Sequence, residues 1–212
     1  ALDLQERPEH PFVLFNLGMT AHYNGHHAEA VDWLQKSLAN STEGESHIRK
    51  IYALWTVSVR EMGDYEGALS VAQTGLAVVP DDPELLFHQG MICAHLGCLP
   101  ESAASYERVL SVGKGMYFGS VDSGIFSFKA QHNLAGVYLR MGEYPRAREN
   151  FLRAMGSNPR HLDSAFDLFV TALKQGDWSA CETCLHRVAQ AEGAHSANLA
   201  KMQIDYRRSR DG

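Results

Sequence analysis

The sequence predicts an all-α fold, a solenoid of about five stacked helix pairs, and three observations predict it. A glycine recurs at equivalent places along the chain, at positions 25, 63, 97, 142 and 176, each where an apolar helical pattern stops. Such a residue ends a helix readily because it adopts positive φ without a steric cost. On either side of Gly142 the apolar residues recur at i, i+1 and i+4 and then at i, i+4 and i+7, the spacing of helix faces rather than of a strand. The third observation is the segment 128–161, FKAQHNLAGVYLRMGEYPRARENFLRAMGSNPRH, which reads as two amphipathic helices around one tight turn.

In that segment Leu134, Ala135 and Tyr138 share one face of the first helix, Gly142 breaks the pattern, and Ala147, Phe151 and Ala154 share one face of the second. The small residue at 147 lets the helices approach closely, with Phe151 and Tyr138 filling the space beside it, and Pro159 closes the unit. The segment resembles the tetratricopeptide repeat (TPR), a thirty-four-residue helix pair that buries its apolar face only by stacking on neighbours. The resemblance implies a right-handed α-α superhelix.

Sliding the same frame along the chain gives repeats at 11–44, 49–82, 83–116, 128–161 and 162–195. The first carries Leu17, Gly18, Ala30, Leu34 and Leu38, and the second Gly63-Asp64-Tyr65, Ala68, Ala72 and Pro80. Gly90, Gly97 and Tyr106 mark the third, and Gly176-Asp177-Trp178 with Leu185 the fifth. Residues 1–10 fit the tail of a truncated preceding repeat, with Pro8 in the closing place, and the chain opens at Ala1 without an initiator Met. Both features suggest a piece of a longer protein. Residues 196–212 read as a capping helix and tail, with Leu199, Met202 and Tyr206 on one side and Lys201, Arg207, Arg208 and Arg210 facing away, as the end of a repeat array requires.

Two insertions interrupt the series, at 45–48 and 117–127. The second, with its flanks, reads GKGMYFGSVDSGIFSF and is more aromatic than a flexible linker. It either packs back on the array or presents hydrophobic groups to a partner, and packing is the favoured reading because exposed aromatics are costly.

Composition narrows the function classes. The chain has 212 residues, 45% of them hydrophobic, and a formal net charge of −6, without the basic stripe of a nucleic-acid binder. No apolar run approaches the roughly 20 residues that span a bilayer. Four cysteines is an ordinary cytosolic count, and a cytoplasmic location is expected. No phosphate loop, nucleophile elbow or zinc-protease signature is present, so no catalytic residue, metal site or cofactor is expected. Cys181-x-x-Cys184 invites a redox or metal reading. Cys181, however, takes the buried small position held by Ala30, Ala68 and Ala147 elsewhere, and no second CxxC completes a zinc site. Cys93 likewise takes a core position. Among eleven histidines, His26 and His27 lie at a turn, and Gly25 interrupts the helix between His22 and His26, so a shared ion is not expected.

The repeat resemblance also implies a surface. In TPR superhelices the first helix of each pair lines a concave groove, and its outward positions contact ligand. Carried over residue by residue, these are Phe12, Phe15, Met19 and His22; Lys50, Ala53, Val57 and Arg60; Glu84, Phe87, His88, Met91 and His95; and Lys129, His132, Asn133, Gly136 and Arg140. Phe15, Met19 and Met91 could equally pack between repeats. Phe15 and Met19 stand where chaperone-binding TPR proteins carry the first Lys and Asn of a carboxylate clamp, so that clamp is absent. The asparagine ladder of the O-linked N-acetylglucosamine transferase superhelix is matched by Asn16, Leu54, His88, Asn133 and Asp167, which is a degraded version. The groove suits a protein or an extended peptide with apolar anchors and some acidic character.

The runs FGSVDSGIFSFKAQHNLAGVYLRMGEYPRA and HPFVLFNLGMTAHYNGHHAEAV, with the lead-in LQERPEHP, further resemble the TPR tails that follow family-2 glycosyltransferase domains in bacterial proteins. That resemblance implies a catalytic half before Ala1, since no βαβ pattern or Asp-x-Asp motif occurs in these residues. The expected function is non-catalytic binding of a protein or peptide as part of such an enzyme. A free-standing scaffold is the alternative, and homo-oligomerisation through the 117–127 loop or the Arg-rich tail is a third reading.

Overall fold

The computed structural model describes residues 10–113, 115, 121–192 and 196–211, which form eleven α-helices, one short 3-10 turn and no strand. Two compact units divide the chain, Ala1–Phe126 and Ser127–Gly212. The first holds three antiparallel hairpins: α1 (Pro11–Tyr23) with α2 (His27–Ala39), α3 (Ile48–Glu61) with α4 (Tyr65–Val78), and α5 (Pro83–Leu96) with α6 (Leu99–Val112). The second holds two, α7 (Phe128–Arg140) with α8 (Tyr144–Ser157) and α9 (Asp163–Gln175) with α10 (Trp178–Glu192), followed by α11 (Ala197–Asp211).

Local chemistry sets the ends of these helices. All five turn glycines have positive φ, between 68° and 86°. At Gly97 the turn is closed by the Cys98 amide donating to the Cys93 carbonyl at 2.9 Å, which satisfies a carbonyl that the end of α5 would leave orphaned. Asp64, Asp82 and Asp177 cap the starts of α4, α5 and α10, accepting from the amides of Gly67, Leu85 and Ala180 at 2.8, 3.0 and 3.0 Å. Pro83, Pro100 and Pro145 occupy first-turn positions, where a missing N–H costs nothing.

Close approach inside each hairpin follows from small residues on the second helix. Ala30, Ala68, Ala147 and Cys181 have no exposed surface. The corresponding residue of the third hairpin is Ser102, whose buried hydroxyl donates to the Gly90 carbonyl at 2.7 Å. In the first unit the core runs continuously between hairpins: Phe15 and Leu34 meet Ile51 and Leu54, and Ile48 and Tyr52 meet Leu85. None of the three hairpins could bury these faces alone, as expected for a stacked array. In the second unit Tyr138, Phe151 and Leu168 are buried, and Leu199 and Met202 of α11 are covered as well.

Three further expectations meet the structure here. The buried Cys93, Cys181 and Cys184 are ordinary core residues, and burial pushes their thiols up to about 11, 11 and 12. Of the 117–127 insertion, residues 117–120 lie outside the described residues, as do residues 1–9. The described part forms a 3-10 turn, Ser123–Phe126, that packs on α5 and α6 and buries Ile125. Arg210 departs from the outward-facing expectation: it donates to the Tyr206 hydroxyl at 2.7 Å, and that hydroxyl donates to Glu182 of α10 at 2.8 Å.

Candidate functional site

In the first unit α1, α3 and α5 lie side by side, and the side chains they turn away from their partner helices form one surface. Its centre is Arg60. The Arg60 guanidinium donates to His88 Nδ1 at 3.4 Å, contacts the Met91 thioether sulfur at 3.8 Å and donates to Glu61 at 2.5 Å. A guanidinium only donates, so His88 Nδ1 must be the acceptor and the ring is neutral with its proton on Nε2. The electrostatics agree, for burial, then Arg60, Lys50 and His22, depress the His88 imidazole to about 3. His22 reaches the same region from α1, its Nδ1 at 2.8 Å from the Ser58 hydroxyl, and burial holds its imidazole below the ordinary value. The hydrogen bond from Arg60, helped by His27 and His22, holds the Glu61 carboxyl below its ordinary value.

A neutral His88 makes stability depend on pH. Its folded pKa lies below the ordinary 6.5, so its contribution is intact above 6.5 and is lost as pH falls toward 3. About 2 kcal/mol should disappear between pH 7 and pH 4 from this residue, allowing for its partial contact with water. Thermal melts of the native chain and of His88→Gln across that range test it. A markedly flatter profile for the variant is expected, and superimposable profiles would contradict the assignment.

Four residues that the sequence assigns to the surface, Phe15, Lys50, Ala53 and Phe87, are buried. Phe15 is 3% exposed and belongs to the core between the first two hairpins, where Met19 packs against it. Lys50 is 7% exposed, and its ammonium donates to both Glu84 carboxylate oxygens, at 2.7 and 3.0 Å. Beside it Arg49 donates to Asp82 at 2.6 Å and to Glu84 at 2.7 Å, so these four charges form a buried lattice joining α3 to α5. Leu54 is buried too. Met19, His22, Arg60, His88 and Met91 remain half-buried, with Phe12 and His95 more open. His95 stacks on Tyr65, the ring centroids 3.5 Å apart.

In the second unit, Lys129, His132, Asn133 and Gly136 are half-buried on α7 and Arg140 is exposed. His132 Nδ1 lies 3.0 Å from the Ser164 hydroxyl and its Nε2 3.7 Å from Asp167, and burial lowers its imidazole. The ladder positions are equally mixed: Asn16 is half-buried, Leu54 is core and Asp167 is exposed. Among the described residues no group of three His, Cys, Asp or Glu could hold a metal ion, and no helix is long and apolar enough to cross a membrane.

Reasoning from the sequence overlooked Ser58, Glu61, Arg49 and Asp82. Charge complementarity one repeat apart was a usable signal, since Arg49 and Asp82 are 33 residues apart and Lys50 and Glu84 34.

Glycine-turned hairpins that share their core with the next hairpin define a class, the helical-hairpin repeat arrays. The chain belongs to the tetratricopeptide repeat family: one family model matches residues 58–115 and 132–180, and another matches 13–41. No curated protein sequence matches the chain. Solved structures share the fold at low identity. MamA from Desulfovibrio magneticus RS-1 has a TM-score of 0.72 at 14% identity, over 88% of this chain and 97% of that one. A tetratricopeptide repeat protein from Parabacteroides merdae has a TM-score of 0.71 at 12% identity, over 95% and 73%. YrrB, a TPR protein with an unusual peptide-binding site, has a TM-score of 0.59 at 19% identity, over 76% and 75%.

Proposed function

We propose that this chain is a non-catalytic module that binds an extended segment of another protein on the first-helix surface of its hairpins. The observation that carries the reading is the surface around Arg60. There a guanidinium, two imidazoles and a thioether are gathered half-buried on three neighbouring helices, although the hairpin core does not need them. Polar groups of this kind, beside the apolar Met19 and the half-open Phe12, can fix the register of a peptide whose side chains fill the spaces between them. The peptide-binding site of YrrB, a protein of the same fold, lends support. In the second unit His132, Asn133, Lys129 and Arg140 are the contact residues of the same reading.

The sequence resemblance supplies the setting. We place the module in the C-terminal part of a family-2 glycosyltransferase-type protein, where it recruits an acceptor or a partner in the cytoplasm. A free-standing scaffold would use the same surface and differs only in what is joined to it. The repeat boundaries 11–44, 49–82, 83–116, 128–161 and 162–195, with a capping segment at 196–212, are part of this reading.

Selection from a displayed library of random peptides tests the binding surface. Selected peptides should lose about tenfold or more in affinity on Met91→Glu, which places a charge among the apolar contacts. They should bind a Thr74→Glu variant, changed on the exposed side of α4, as well as the native chain. Peptides that ignore Met91→Glu and respond to Thr74→Glu would overturn the reading.

A further inference from the structure

Arg60 has an unusual neighbour in Glu61. The two are adjacent in sequence, at the last turn of α3, and adjacent helical side chains point in different directions. Glu61 nevertheless folds back to accept the Arg60 Nη2–H at 2.5 Å, while 45% of its side chain stays in water and only 16% of the Arg60 side chain does. The other guanidinium contacts are a neutral imidazole and a thioether, at 3.4 and 3.8 Å, and neither cancels the charge. Glu61 is therefore the carboxylate that neutralises Arg60, and it is held from outside by a local contact. Only the Glu61 end of the pair meets water, so an incoming carboxylate can take its place on the same guanidinium edge without unburying Arg60. By contrast, Arg49 and Lys50 share Asp82 and Glu84 inside the unit, where no ligand reaches them.

We propose that Arg60 is the anion anchor of this surface, that Glu61 stands in for a ligand carboxylate, and that the partner is an extended acidic peptide with an Asp or Glu beside an apolar residue. The proposal rests on the peptide-binding reading above and deepens it. The bound carboxylate takes the guanidinium edge that Glu61 vacates, and its apolar neighbour lies against Met91. Glu61 thus weakens binding by competition and sets a threshold that neutral peptides cannot use. The charge-assisted pairing of carboxylate with guanidinium gives the discrimination.

Fluorescence anisotropy with two labelled peptides decides it, one of alternating Leu and Glu and the other with every Glu replaced by Gln. The native chain should bind the Glu peptide about tenfold or more tightly than the Gln peptide at low salt. Arg60→Gln should abolish that preference while leaving the melting temperature nearly unchanged. Glu61→Gln should strengthen the Glu peptide by about two- to fivefold, because a partly hydrated competing carboxylate no longer occupies the guanidinium edge. Glu66→Gln, the same charge change on the exposed side of α4, should leave it unaltered. Equal binding of both peptides would overturn the anion anchor while leaving the binding surface intact. No binding of either up to about 1 mM would overturn the acidic-peptide assignment, and the library selection decides the surface separately. An equal gain from Glu66→Gln would reduce Glu61 to general charge and overturn its role. A phosphoserine peptide that binds more than tenfold tighter than the Glu peptide would overturn the choice of carboxylate.

Discussion

Asp82→Ala should destabilise the first unit by about 4 kcal/mol. Asp82 has no exposed side-chain surface and performs two tasks with two oxygens. Its Oδ1 accepts from the Leu85 amide at 3.0 Å and caps α5, and its Oδ2 accepts from Arg49 Nε at 2.6 Å. Loss of a cap costs about 1 kcal/mol. The larger part comes from Arg49, only 8% exposed at its side chain, which would keep a buried charge with Glu84 left to share between it and Lys50. Removing one partner of a buried pair costs about 3–5 kcal/mol because the other charge stays buried and uncompensated. In the native unit the Arg49 guanidinium is held above its ordinary value despite burial, through its hydrogen bond with Asp82 and the charges of Asp82 and Glu84. In the variant it loses Asp82 and still stays charged, because a guanidinium is not deprotonated in proteins. Hydrogen-exchange mass spectrometry on α3 and α5 peptides reads the local loss. The double variant Arg49→Met/Asp82→Ala should recover most of it, since no unpaired charge remains. A cost below about 1 kcal/mol for Asp82→Ala would show that the lattice adds little.

Gly90→Val should cost about 3 kcal/mol through overpacking. A Cβ built on Gly90 would sit 2.8 Å from Cζ of Tyr106 and within 3.0 Å of both flanking ring carbons. Tyr106 cannot step aside, because its ring is 1% exposed and packs edge-on against Phe87 at 5.6 Å between centroids. The backbone cannot retreat freely either, since the Gly90 carbonyl accepts the buried Ser102 hydroxyl. Replacing glycine inside a helix returns less than about 1 kcal/mol of propensity, which does not offset the clash. Thermal denaturation of Gly90→Val alone and with Tyr106→Leu tests the account. Partial rescue by the smaller side chain is expected, and an unchanged melting temperature for Gly90→Val would contradict it.

Much of the hairpin architecture was legible because it obeys local rules. A turn that needs positive φ selects glycine, and a close helix contact selects alanine, as Ala30, Ala68 and Ala147 show. Cys181 was readable as a core residue for the same reason, in spite of its CxxC spacing. The candidate surface was less legible, because outward register does not say which side chains neighbouring helices consume. Lys50 holds an outward position yet spends its charge on Glu84 of the next hairpin, and Phe15 fills a space that Leu34, Ile51 and Leu54 leave between them. Glu61 was invisible to the period, since its contact runs to the adjacent residue rather than across a helix face.

On the peptide-binding proposal, the first-helix surface around Arg60 is where a partner peptide binds. The methionine methyl groups report on it most directly. Met19 and Met91 lie on that surface, Met62 sits at the turn after α3, and Met155 and Met202 are buried in the second unit. Titrating a library-selected peptide into carbon-13 methyl-methionine protein should shift the Met91 and Met19 resonances and leave Met155 and Met202 in place. Shifts confined to Met62 or to the second unit, with Met91 unmoved, would contradict the proposal.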